Sequence, residues 1–559
     1  MTVAIDRRID RRIDTEVLVV GAGPVGLTLA MDLARRGVAV TVAETRHRAE
    51  PPSPKCNHVS ARSMEIFRGF GVADAVRDAG LPPDYPHDVA YRTTTTGIEL
   101  ARISIPSRAA RASATGGPDT WWPTPEPPHR INQIYLEPIL FEHAATLAGL
   151  TLLNRTTVLD LVQSEQGVTA TAEDLDTGER LEIGSRYLVG CDGGRSAVRR
   201  VIGATLHGDP IVQRVQSTVI RAPELLGLVA RPAWGNFSLN PRRCGNVYAI
   251  DGRQTWLVHN YLLPDEHDFD AVDRDLGIRL ILGVPASFEY EVVGREDWIG
   301  RRLVADRFRD RRVFLCGDAA HIWVPNAGYG MNAGIADATN LAAVLSAALA
   351  GWAGPAMLDA YEAERLPITD QVSRFAMDTA NAVNTQARAV PAEIEQPGPA
   401  GDAARERAGR AAYELNVNQF CCGGLNFGYF YDASPVIAYD GEAAPGYGMY
   451  DFTPSTVPGC RVPHLWLGEG HSLYDELGLG YTLLRRDPSV GVQTLVAAAR
   501  QRGVPLSVLE LDARRSPELD PWPLLLVRAD QHVAWRGKEP PADPLALVDV
   551  LRGAAVAGR

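Results

Sequence analysis

The feature that most restricts this chain is Gly21-Ala-Gly23-Pro24-Val25-Gly26, set between the strand-like run Glu16–Val20 and the helix-patterned segment Leu27–Arg36. In such a turn the first glycine permits the tight bend and the second lets a pyrophosphate approach the backbone. The third lets the helix pack on the strand. Gly37 supplies a helix stop, and the next apolar run, Val38–Ala43, closes at Glu44. Strand, glycine turn, helix and strand in that order open a parallel sheet. A pyrophosphate would lie at the positive end of the helix dipole. A carboxylate at Glu44 can accept from ribose hydroxyls and disfavours a 2′-phosphate, so the pattern predicts resident FAD or NAD rather than NADP.

A second glycine turn follows another apolar strand. Cys316-Gly317-Asp318-Ala-Ala-His321 stands at its end, with GYGMNAGIADATNL beginning at Gly328. Asp318 is placed to accept from a polyol chain, and Gly328, Gly330 and Asn332 expose amides to a ring edge. Two such turns at opposite ends of one sheet favour a single long dinucleotide, FAD.

The chain has 559 residues, which at about 150 per domain suggests three to four domains. Its formal charge of −12 argues against a nucleic-acid partner held on a basic face. Seven scattered cysteines with no CxxC pair support neither a disulfide framework nor a zinc site, and no metal is expected. The N-terminal IDRRIDRRID lacks the apolar core of a signal peptide, so the expected location is cytoplasmic. The uncharged stretch Ala338–Leu358 is broken by Gly351, Gly354 and Pro355 and reads as a buried helix rather than a membrane span. Between Leu206 and Ile299 short alternating runs predict an antiparallel sheet. In its strand AWGNFSLN, Gly235, Phe237 and Leu239 share the more apolar face, which makes Phe237 and Leu239 candidate substrate contacts, with sheet core as the alternative.

The motifs GAGPVG, CDGGRSAVR (Cys191–Arg199) and GDAAH, in this order, resemble the class A flavoprotein monooxygenases, whose fold is that of para-hydroxybenzoate hydroxylase. Two later segments, PGCRVPHLWLGEGHSLYDELGLGYTLLR and LVRADQHVAWRG, resemble the extra domain of the phenol- and dichlorophenol-hydroxylase branch. That domain is thioredoxin-like and lacks a working dithiol. The implied fold class is α/β + β: a Rossmann-like FAD-binding domain interleaved with an antiparallel substrate domain, plus the thioredoxin-like unit. The corresponding divisions are a mobile arm at 1–14, an FAD-binding domain at 15–91, 127–204 and 300–375, and a substrate domain at 92–126 and 205–299. A helical connector at 376–457 and the thioredoxin-like domain at 458–559 follow.

The resemblance also implies roles. Glu44 would bind the adenosine ribose beside Thr45 and Arg46, and Val158 would line the adenine pocket. Arg62 would contact the pyrophosphate or ribityl region, and Gln133 the ribityl chain. Asp192, with Gly193, would support the pyrophosphate and a transient nicotinamide nucleotide. Asp318, after Gly317, would hold a ribityl hydroxyl, and the backbone from Pro325 through Gly328, Gly330 and Met331 to Asn332 would edge the flavin. Where phenol hydroxylases carry an aspartate base, this chain has Asn57, which cannot act as one. The neighbouring His58, whose ordinary pKa lies near working pH, is the candidate catalytic base.

The implied activity is hydroxylation of a phenolic or other aromatic molecule, in natural-product biosynthesis. NADPH or NADH reduces FAD, O2 adds to give the C4a-hydroperoxide, and OH is transferred to the ring. Baeyer–Villiger or epoxidising chemistry on the same fold is one alternative, and a flavin-binding reductase or scaffold without oxygenase activity is another. A homodimer is expected, with no membrane partner.

Overall fold

The computed structural model describes residues 9–325 and 328–554. Residues 1–8, most of the expected arm, lie outside the described residues. The rest of that arm is structured: Arg11–Asp14 is a strand paired parallel to Arg180–Ser185, which corrects the reading of 1–14 as mobile. An edge strand needs backbone partners rather than an apolar face. Here Arg12 also donates to Glu182 across the pair at 2.9 Å.

Five parallel strands form the first sheet, in the order Val313–Leu315, Tyr187–Gly190, Val17–Val20, Val40–Ala43 and Leu150–Leu153. Arg309–Asp310 is antiparallel at one edge. Val17–Val20 is buried throughout, as a central strand covered on both faces must be. The helix Pro24–Arg35 starts with Gly23 as its cap and Pro24 in its first turn, where a missing N–H costs nothing. It packs beside the helix Gly330–Leu349, which ends before Gly351. Among the described residues no helix is long and apolar enough to cross a membrane.

An eight-stranded sheet lies alongside. Its order is His321–Ile322, Glu291–Ala305, Leu206–Arg221, Thr255–Tyr261, Gly245–Ala249, Gly235–Ser238, Val89–Arg92 and Glu99–Ile103. All pairings are antiparallel except that of Gly235–Ser238 with Val89–Arg92. Val89–Tyr91 therefore belongs to this sheet and not to the dinucleotide-binding unit, and Glu291–Ala305 runs unbroken across the expected division at 300. Likewise the helix Met357–Arg388 crosses the expected division at 375, and Pro399–Phe420 forms a second long helix beyond it.

The C-terminal sheet is ordered Leu506–Glu510, Tyr481–Arg485, Leu524–Val527, Val533–Gly537. Its first pair is parallel and the other two antiparallel, with helices Gln493–Gln501 and Pro544–Leu551 packed together. Buried ion pairs tie this unit to the rest: Arg528 to Glu364 at 2.5 Å and Arg461 to Glu65 at 2.5 Å.

Candidate functional site

The first glycine turn is shaped by backbone approach. At Gly21, whose φ is +105°, an added Cβ would lie 2.4 Å from the Cys191 carbonyl oxygen, and at Gly26 it would lie 2.0 Å from that of Gly21. Gly23, by contrast, faces open space, and no side chain caps the helix that it starts. The free N–H groups there form an anion cradle. Val25 reaches the other turn: a Cβ at Gly317 would meet both its methyls at 3.1 Å, and one at Gly334 would meet a methyl at 2.6 Å. The two glycine turns are thus packed directly on each other.

Glu44 closes the far side of this cradle. It accepts from the Ala22 N–H at 2.7 Å and the Arg46 N–H at 2.9 Å, and pairs with the Arg46 guanidinium at 3.1 Å. Burial opposes its ionisation, but these hydrogen bonds and the Arg46 charge outweigh it and hold its pKa below the usual carboxylate range. Arg46 also pairs with Glu137 at 2.6 Å, while Thr45 is exposed and touches Glu44 at 3.3 Å. Val158 is half-buried on the strand Thr156–Gln163, beside a bulge in its pairing. One oxygen of Asp192 accepts from the Ala197 and Val198 N–H groups at 2.7 and 3.1 Å; the other is buried without a partner. Gly193 next to it is open, and Asp318 is exposed without a hydrogen bond among the described residues. An open anion cradle, an ionised Glu44 and unpaired Asp192 and Asp318 oxygens are the donor and acceptor set that a pyrophosphate flanked by ribose and ribityl hydroxyls requires.

Other candidates take different roles. Gln133 starts the helix Gln133–Ala144; its N–H donates to the Cys56 carbonyl at 2.8 Å and its amide to Glu137 at 3.0 Å. Asn332 holds two segments together. Its oxygen accepts from Ser60 N–H at 2.9 Å and Ser63 hydroxyl at 2.7 Å, and its amide donates to the carbonyls of His58 at 3.1 Å and Gly328 at 2.6 Å. Gly330 opens its helix, Met331 packs on the core, and Pro325 is exposed.

Two expectations are corrected. Arg62 is taken up by the C-terminal unit. It is buried against the C-terminal unit, donating to the Asp530 carbonyl at 2.5 Å and to the Gln531 side chain, with Glu65 at 3.3 Å. The C-terminal unit supplies the acceptors that hold it there. His58 is not poised near neutral pH. Its Nδ1 contacts the Arg130 guanidinium, and burial followed by that positive charge depresses its pKa well below the usual imidazole value. The ring packs against Gly328, where an added Cβ would lie 3.0 Å away.

Sheet register gathers a row of side chains on one face: Tyr91, Phe237, Asn246, His259, Ser217 and Glu296. Glu296 pairs with Lys55 at 2.7 Å, so the row ends against the loop that carries His58. Phe237 packs on Tyr91 at 5.1 Å and on Tyr248 and Phe420 at 6.0 Å each, and Leu239 joins the same cluster. The hydroxyl of Tyr91 and Nδ1 of His259 are buried without partners. Trp234 also turns onto this face, 5.1 Å from Tyr248, because it precedes the strand and escapes its alternation. Tyr91, Tyr248, His259 and Phe420 had no signal in local sequence, since only register and a distant helix bring them together.

A family described as FAD binding domain matches residues 14–376, and one described as aromatic-ring hydroxylase, C-terminal, matches 455–555. The chain is 30% identical to a phenol 2-monooxygenase of Pseudomonas sp. (strain EST1001), over 97% of this chain and 93% of that protein. Among solved structures it resembles the rebeccamycin biosynthetic enzyme RebC with reduced flavin, at 34% identity and a TM-score of 0.88, covering 97% of this chain and all of that one. It also resembles aklavinone-11 hydroxylase in a ternary complex with FAD and aklavinone, at 30% identity and a TM-score of 0.78, covering 97% and 98% of the two chains.

Proposed function

The chain belongs to the family of FAD-dependent aromatic-ring hydroxylases, and we propose that within it this protein hydroxylates a phenolic, multi-ring natural-product intermediate at the expense of NADPH or NADH and O2. The observation that carries this reading is the aromatic face of the eight-stranded sheet, whose row ends against the loop that carries His58. FAD is the resident cofactor, and when bound it supplies two-electron storage and the activation of O2.

The chain supplies binding, orientation and exclusion of water. The Gly23 turn and its helix N–H groups would hold the pyrophosphate, Glu44 the adenosine ribose, and Asp192, Asp318 and Gln133 the phosphate and hydroxyl chain. The backbone at Pro325 and from Gly328 to Asn332 would edge the ring system. Phe237 and Leu239, with Tyr91 and Tyr248 beside them, form an apolar roof over the reacting ring, which keeps water from the oxidising equivalent. In the C-terminal unit, the sheet order and the one parallel pair support a thioredoxin-like fold, serving as structure rather than redox chemistry because no dithiol is present.

The test is NADPH and NADH oxidation by the purified yellow protein across phenols and fused-ring aromatics, with product masses and ring-proton NMR. Stimulated oxidation with one oxygen gained on a ring is the expected result. A ring-expanded lactone would move the chemistry to Baeyer–Villiger oxidation, and no stimulation across the panel would overturn the oxygenase reading.

A further inference from the structure

Buried arginines in this chain are generally answered by carboxylates. Arg365 pairs with Asp337 at 2.7 Å, and Arg461 and Arg528 have their glutamates at 2.5 Å. Arg130 departs from that pattern. It is 2% exposed, its Nη1 meets only the His58 ring, and its Nη2 is buried with no partner. Asp119, whose field reaches it, is already engaged by Arg111 at 2.5 Å and by the Trp122 indole at 2.9 Å. The guanidinium is held between rings, 4.7 Å from the centre of Trp234 and 5.9 Å from that of Phe420. Withdrawing such a cation from water is unfavourable unless an anion and further hydrogen bonds compensate.

Its position says where that anion comes from. The His58 ring beneath it packs on Gly328 of the second glycine turn, and Trp234 and Phe420 above it contact Tyr248 and Phe237 of the aromatic face. We propose that Arg130 anchors an anionic oxygen group of the aromatic substrate, a carboxylate or a phenolate, through its free Nη2. A planar guanidinium flanked by two rings suits a flat aromatic acid: the rings stack and the fork takes the charge. The inference rests on the hydroxylase reading for the identity of the site, and it adds the charge of what enters.

The experiment titrates FAD-loaded wild type, R130M and R130K with 3-hydroxy-2-naphthoate, 2-naphthol and 2-methoxynaphthalene, following the flavin absorbance. Wild type should bind one of the two ionisable probes roughly 10- to 100-fold tighter than the neutral ether, the range of a charged hydrogen bond. R130M should erase that preference while leaving affinity for the ether within about twofold, and R130K should restore part of it. Preference for the naphthoate assigns a carboxylate; naphtholate absorbance on binding assigns a phenolate. No anionic preference in wild type, or equal weakening of all three probes in R130M, overturns the proposal. If R130M fails to retain FAD, R130K decides: a reduced preference supports the anchor and an unchanged one refutes it. Hydroxylation without anionic preference sinks the anchor alone; anionic preference without hydroxylation sinks the hydroxylase reading alone.

Discussion

Replacing Gly334 with alanine tests whether the two glycine turns are coupled through Val25. In an ordinary helix the change would stabilise by about 0.5–1 kcal/mol. Here the new Cβ would fall 2.6 Å from a Val25 methyl and 3.0 Å from the Gly317 Cα, in the helix Gly330–Leu349. Overpacking of this kind costs about 1–3 kcal/mol, so the net should be a loss of roughly 1–2 kcal/mol, concentrated where the turns meet. Because that junction shapes both halves of the cradle, FAD affinity should fall about 5- to 30-fold. The assay is a fluorescence titration of the apoprotein with FAD for G334A, V25A and the double variant. The double variant should recover part of the loss, giving a coupling energy of about 1 kcal/mol, since trimming Val25 removes the colliding methyl. If G334A raises the thermal stability and binds FAD as wild type does, the packing argument is wrong.

Three further outcomes follow from the same geometry. Glu44 has a depressed folded pKa, so its contribution is complete above the ordinary glutamate value of about 4.3 and fades as pH falls through the lower folded value. E44Q should therefore bind FAD weakly at pH 7 and lack the acid-release step that wild type should show in flavin fluorescence. His58 is neutral throughout the working range, so H58Q should leave the acid limb of the kcat/KM profile where it was; a limb near pH 6.5 that disappears in H58Q would restore it as a base. Removing one side of the buried Arg528–Glu364 pair, as in R528M, should cost about 3–5 kcal/mol. Proteolysis rates should report that loss as release of the C-terminal unit, and an unchanged rate would show that the pair does not hold it.

Local chemistry was legible in the sequence wherever it depends on neighbours a few residues apart. The glycines at 21, 23 and 26, the carboxylate at 44 and the second turn at 317–318 each announce a backbone geometry that other residues cannot supply. The direction of a long side chain was not legible: Arg62 sits on a helix whose sequence is silent about Gln531, 469 positions away. The protonation of His58 was misread for a related reason, because a pKa is set by burial and by Arg130, and neither is a property of the segment SPKCNHVS. The aromatic face was half legible. Alternation identified Phe237 and Leu239, but the rows joining them to Tyr91 and His259 exist only once strands 146 residues apart are in register. The strand Arg11–Asp14 was missed because its pairing is by main chain, to which the hydrophobic pattern is blind.

The strand order of the parallel sheet has a consequence for how the protein is made. Val17–Val20 lies between strands that begin at residues 40 and 187, and the next neighbour beyond begins at 313. The Gly21 turn presses on Cys191, and Val25 presses on Gly317 and Gly334. A ribosome adding about 5–20 residues per second therefore needs roughly half a minute before the last wall of the FAD cradle has left the tunnel. Val17–Val20 can pair early with Val40–Ala43, but its other edge waits for Tyr187–Gly190, so a loop of over a hundred residues must close around it. Loading of flavin is thus a late event in biosynthesis. Supply of chaperones to the nascent N-terminal half, rather than of flavin, is the step at which yield in a foreign host should be decided.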